Sequence, residues 1–128
     1  MTTKLSDALR DLLDHDLPLE VAVDRHFGPG YRQRTNGVWD DREAFRQHIG
    51  HLRSLIATAQ IATLDELSDG NQYAERHVAR MVKFDGSVVR QEVYLFAEFD
   101  PDGRFARIEE VTHMLEGAEA DRGIGNAR

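Results

Sequence analysis

The hydrophobic pattern of the chain changes period once, close to its middle. Over residues 4–15, Leu5, Ala8, Leu9, Leu12 and Leu13 recur at helical spacing and make one apolar stripe. Pro18 suits the first turn of a shorter second helix carrying Leu19, Ala22, Val23 and Phe27, which Gly28-Pro29-Gly30 is expected to stop. Residues 31–35, YRQRT, alternate and end at Asn36-Gly37, which reads as a short strand before a turn. A long helix is expected over 40–58. Asp40 and Glu43 have capping-box spacing, and Phe45, Ile49, Leu52 and Ile56 share one face. Gly50 in its middle lowers helix propensity and implies close packing against a sheet.

After residue 59 the pattern alternates. Long strands are expected at 60–68, 72–84, 87–99 and 104–115. Asp69-Gly70-Asn71, Asp85-Gly86 and Asp100-Pro101-Asp102-Gly103 separate them, and each is a hairpin turn signal. Helices first and an antiparallel meander afterwards give an α+β order. Residues 1–116 make the domain. Residues 117–128 are small and polar, and are expected to be mobile or to lie across a partner.

Composition narrows the function classes. The 128 residues suffice for one domain with a core of its own. Without cysteine there is neither disulfide nor thiolate chemistry, which suits a reducing cytoplasm. The net charge is −7, from 16 basic and 23 acidic residues, with no basic cluster to release counterions from nucleic acid. No apolar run approaches the ~20 residues that span a bilayer. The acids in MTTKLSDALRDLL interrupt any export signal, so a cytoplasmic protein with neither nucleic-acid nor membrane partner is expected. No phosphate loop or dinucleotide fingerprint is present, which argues against a nucleotide cofactor. His48 and His51 share one side of a helix, but no third ligand follows at zinc-binding spacing, so no metal is expected.

The order helix, helix, short strand, long helix and then long antiparallel strands resembles the nuclear transport factor 2-like fold, and its SnoaL-like, polyketide cyclase-like branch in particular. FGPGYRQRTNGVWDDREAFRQHI resembles the family's passage from second to third helix. YAERHVAR resembles one of its long strands, and DGRFARIEEVTHM its closing strand. Together these cover nearly the whole chain apart from the tail. The resemblance implies a cone: a curved antiparallel sheet wrapped around N-terminal helices, a cystatin-like α+β barrel with a pocket at its open end. It also implies chemistry without a cofactor, and a homodimer through the outer face of the sheet.

Alternation divides the strands into faces. On 72–84, Ala74, Arg76, Val78, Arg80 and Val82 share one face, and Tyr73, Glu75, His77, Ala79 and Met81 the other. On 87–99, Glu92, Tyr94 and Phe96 oppose Val93, Leu95, Ala97 and Phe99. Periodicity alone leaves the inner face open. The resemblance implies that an Arg of strand 72–84 and a carboxylate of the closing strand enter the pocket, which are Arg76 and Glu110 here. Glu92 and Tyr94 then join them, with Val78, Arg80, Phe96, Ile108 and Thr112 on the same face. Arg32 and Arg34 take the places of the family's polar first-strand residues, and Tyr31, Trp39 and Phe45 are expected as apolar wall. His77 is expected outside, near His113.

These residues imply a small-molecule ligand, mostly apolar, and acid–base chemistry of the isomerase, cyclase or hydratase type. Glu110 would exchange the proton, Arg76 would orient it and Tyr94 would donate a hydrogen bond. The alternative is a non-catalytic binding or dimerisation module, in which Arg76 pairs with Glu110 or Glu92 only to satisfy a buried polar layer. The family's epoxide hydrolases carry Arg-x-Asp on this strand; here Val78 stands where the Asp would be.

Overall fold

The structure, a computed structural model, describes residues 2–124. Within them two short helices, α1 (Leu5–Leu12) and α2 (Leu19–His26), precede strands β1 (Phe27–Thr35) and β2 (Val38–Asp41). A longer helix, α3 (Arg42–Leu55), then leads into four long strands: β3 (Ile56–Asp69), β4 (Gln72–Lys83), β5 (Val88–Phe99) and β6 (Phe105–Glu116). They form one curved, unclosed six-stranded sheet in the order β2-β1-β6-β5-β4-β3. The architecture is the expected α+β cone, with one correction. The sheet is mixed, because β1 lies parallel to β6 while every other neighbouring pair is antiparallel.

Element boundaries differ where local chemistry had two outlets. Gly28-Pro29-Gly30 does not break the chain but lies inside β1. The β1–β6 register jumps from Phe27 to Arg32, so Pro29 sits in an unpaired stretch where its missing N–H costs the ladder nothing. Asn36 and Gly37 both have positive φ, at 50° and 86°, and close a two-residue hairpin into β2, a strand the pattern had hidden. Asp40 is consumed in that hairpin opposite Gln33. The N-cap of α3 is therefore Asp41, whose carboxylate accepts from the Ala44 backbone N–H at 2.8 Å. The helix ends at Leu55 because Ile56, almost wholly buried, already belongs to β3.

The three helices cover one face of the sheet. Leu5, Ala8 and Leu12 of α1, Ala22 and Val23 of α2, and Phe45, Ile49 and Leu52 of α3 meet Val89, Val93, Leu95, Ala97 and Phe99 of β5. Phe27, Tyr31 and Phe45 form an aromatic knot with ring centroids 4.6 to 4.9 Å apart. Arg53 of α3 donates to the carbonyls of Leu12 and Leu17, each at 2.6 Å, and so ties α3 to the end of α1. Gly50 faces α2 rather than the sheet. Within residues 117–124, Asp121 meets Lys83 Nζ at 2.9 Å and Ile124 is buried. The rest of the tail lies outside the described residues. No helix among the described residues is long and apolar enough to cross a membrane.

Candidate functional site

Sheet register decides which side chains share the helix-covered face. Thr35 pairs with Glu110, Glu110 with Leu95, and Leu95 with Glu75, so these four form one inward row. Next along the strands come Thr112, Val93 and His77, and after them Met114, Gln91 and Ala79. The adjoining outward row is Val111, Tyr94 and Arg76. Glu110 and Arg76 thus lie on opposite faces of the sheet.

The Arg76 face expected inward is therefore the outer one. β5 explains why: Val89, Val93, Leu95, Ala97 and Phe99 form an apolar row that fits under the helices, whereas the opposite row contains Arg90, Glu92 and Glu98. Arg76, Glu92 and Tyr94 make a surface network instead. Arg76 lies 2.8 Å from Asp65 and 3.5 Å from Glu92, and Tyr94 donates to Glu92 at 3.2 Å. Val78, Arg80 and Phe96 turn outward with them. Arg32 also points out and stacks over Trp39, which is itself exposed rather than a pocket wall. Arg34 lies near Glu109 outside. Tyr31, Phe45, Ile108 and Thr112 are on the inner side, and the last three line the same cavity as Glu110. His77 is inside, not beside His113.

That cavity has a volume of about 110 Å³ and lies between α1, α3 and the inner sheet face. Its polar lining is Gln33, His48, His77, Gln91, Glu110 and Thr112, set among leucine, isoleucine, valine and phenylalanine side chains. Thr35 Oγ1 donates to Glu110 Oε1 at 3.0 Å and Gln33 Nε2 to the same oxygen at 3.1 Å. Gln33 Oε1 in turn accepts from the Tyr31 hydroxyl at 2.6 Å. Across the face, His77 donates from Nδ1 to Glu75 Oε2 at 2.6 Å, and the Tyr73 hydroxyl donates to Glu75 Oε1 at 2.9 Å. No group of three or more His, Cys, Asp or Glu side chains among the described residues is placed to hold a metal ion.

Glu110 is half-buried as a residue, but its carboxyl is packed round, and that burial pushes its pKa above the ordinary glutamate value. The Thr35 hydrogen bond and the nearby His77 pull it down, and Glu75 pushes it up again. The Tyr31 phenol is raised well above its usual range, first by burial and then by Glu110 and Asp40, so it stays a hydrogen-bond donor. A carboxyl with a raised pKa, facing a mostly apolar cavity near a carboxylate-bound imidazole, can take up and return a proton.

Gln33, Thr35, Glu75, His77 and Gln91 were not among the expected site residues. Alternation carried the signal for the first two: a strand with Tyr31 inward must bring Gln33 and Thr35 with it and send Arg32 and Arg34 out. A second concavity, an open groove of about 820 Å³, runs over the outer face and is lined by Arg76, Tyr94, Phe96 and Val111 among others. It is the larger of the two, but the helix-covered cavity is the one lined by His48 and His77 together with Glu110.

No protein-family model matches the chain. Over 100 residues it is 33% identical to an uncharacterised protein of the fission yeast Schizosaccharomyces pombe, covering 78% of this chain and 76% of that protein. A proposed isomerase from Rhodopseudomonas palustris superposes with a TM-score of 0.77 over 98% of this chain and 99% of that one, at 12% identity. IdmH, a proposed polyketide cyclase from Streptomyces antibioticus, does so at 0.65 over 86% and 92%, at 17% identity. The chain has the nuclear transport factor 2-like fold, with a proposed polyketide cyclase among its structural neighbours, and it belongs to the same family as the fission-yeast protein.

Proposed function

We propose that the inner cavity binds a small, mostly apolar molecule and that Glu110 exchanges a proton with it. The observation that carries this reading is the Glu110 carboxyl itself. It is held from behind by Thr35 and Gln33, raised in pKa by burial, and open to a cavity otherwise lined mainly by hydrocarbon. The Glu75 hydrogen bond fixes the His77 ring and reserves its Nε2 for a second proton partner. Arg76 takes no part, because it lies on the other face. The scheme needs side chains alone and suits isomerisation, cyclisation or hydration; the likeness to a proposed isomerase is in keeping with it.

A panel of small apolar carbon acids, followed by proton NMR in D2O, tests the reading. The wild-type protein should speed exchange of one C–H proton for deuterium. Glu110→Gln should still bind the same compound but lose ~10²- to 10⁴-fold in exchange. Unchanged exchange in that variant would remove Glu110 as the proton carrier. Binding by the wild type with no exchange of any compound would favour the second reading, a binding module without turnover. A second copy of the chain is proposed as the protein partner, docked on the outer sheet face.

A further inference from the structure

The geometry points to Gln91 as the anchor for an oxygen atom of the ligand, and to a small neutral carbonyl compound as the ligand class. The inference rests on the acid–base reading of Glu110 and narrows it. Gln91 is 4% exposed, and its Nε2 has no hydrogen-bond partner among the described residues. The other cavity glutamine differs: Gln33 Nε2 donates to both Thr35 and Glu110. An amide donor buried without an acceptor is unfavourable, so Gln91 calls for an acceptor atom supplied by whatever the cavity holds.

Charge and size restrict the rest. No Lys or Arg lines the cavity, while Glu110 does, so an anion would face a carboxyl with no permanently charged cation beside it. A volume of about 110 Å³ is below the ~150 Å³ of an apolar cavity that accepts benzene, which limits the ligand to about five non-hydrogen atoms. Gln91 stands four residues from Leu95, the partner of Glu110, or about 13 Å along the strand. Both side chains line the cavity, with Val93 and Thr112 between them along the strands. A carbonyl oxygen on Gln91 then turns an adjacent C–H toward Glu110.

The step balances without a co-reactant. Glu110 takes the proton from the α-carbon, the C–H electron pair forms a carbon–carbon double bond, and the carbonyl π pair moves onto oxygen. The N–H of Gln91 holds the resulting enolate oxygen. Return of a proton or deuteron from Glu110 to carbon restores the ketone.

Cyclobutanone and methylenecyclobutane have the same shape, but only the first offers an acceptor. Each is titrated into ¹⁵N-labelled wild type, Gln91→Met and Glu110→Gln. The wild type should bind the ketone about 10-fold tighter, with a shift of the Gln91 side-chain amide signals. Gln91→Met should equalise the two affinities without changing that for the hydrocarbon, which also reports an intact fold; Gln91→Leu repeats the test should Met disturb packing. Glu110→Gln should keep the ketone preference and lose α-deuterium exchange. Equal affinities in the wild type, a preference that survives in both Gln91 variants, or no saturable binding of either compound would overturn the inference. A Gln91-dependent preference without α-exchange would sustain the anchor and remove the acid–base reading. Exchange with a preference indifferent to Gln91 would do the reverse.

Discussion

At Glu110 opposing influences act on one carboxyl. Burial raises its pKa, Thr35 and His77 lower it, and Glu75 raises it, with a net rise. The folded chain therefore holds this proton to a higher pH than the unfolded chain, whose glutamates titrate near ~4.3. The stability Glu110 contributes is fully present below that value and is lost as pH rises through the folded pKa. Glu110→Gln has no such loss. The stability of the wild type relative to the variant should fall from about pH 4 upward and level off above the folded pKa. Urea denaturation of both proteins across a pH series measures the difference and cancels the pH dependence they share. A difference that is flat or rises with pH would mean the carboxyl is not destabilised by its surroundings. The same residue marks the limit of what the sequence made legible. Alternation sets Glu110 with Ile108 and Thr112, but which rows of β4 and β5 accompany it depends on cross-strand register. A displacement of one residue exchanges every side chain of a strand between faces, and carried Arg76 inward in place of Glu75 and His77.

Elements were more legible than faces, because periodicity and turn residues are local signals. The stripes of α1 and α3 and the glycine turns before β4, β5 and β6 are written within a few residues each. The parallel pairing of β1 with β6 is not, since it joins chain segments about seventy residues apart and leaves no mark in either. Helix α3 allows a direct test of packing at this scale. A methyl group on Gly50 would sit 3.6 Å from Leu19 Cδ2, an ordinary contact. The glycine is thus not required by close approach, and its conformational freedom in the unfolded chain opposes folding. Gly50→Ala should stabilise the protein by about 0.5–1 kcal/mol, seen as a higher urea midpoint at unchanged slope. A loss of stability would show that α2 and α3 cannot accept the added methyl.

At the scale of the whole molecule, the two faces of the sheet differ in what covers them. The inner face is filled by helices and the cavity, while the outer face exposes Phe96 at 72%, Val111 at 56% and Tyr94 at 46%. Leu67, also exposed, lies on the rim of the same groove. Contiguous apolar surface of this kind marks an interaction site. The surrounding charges suit the second copy of the chain proposed above as the occupant. Arg34, Arg76 and Arg107 stand among Asp65, Glu66 and Glu109, so the groove carries both signs, as an interface that pairs with itself about a two-fold axis requires. A strongly charged partner would find only half of it complementary. The net charge of −7 opposes self-association at long range, but salt screens it beyond about 8 Å at physiological strength, where the mixed local charges take over. Sedimentation velocity at tens of micromolar should therefore report a homodimer, and Phe96→Glu a monomer, because one substitution places two like charges in a two-fold interface. The cavity lies behind the sheet from this residue, so the monomeric variant should keep its circular dichroism and its ketone binding. A wild type that sediments as a monomer would remove the second copy as the occupant. A Phe96→Glu monomer that also loses the ligand would show that pairing of the outer faces supports the curvature on which the inner cavity depends.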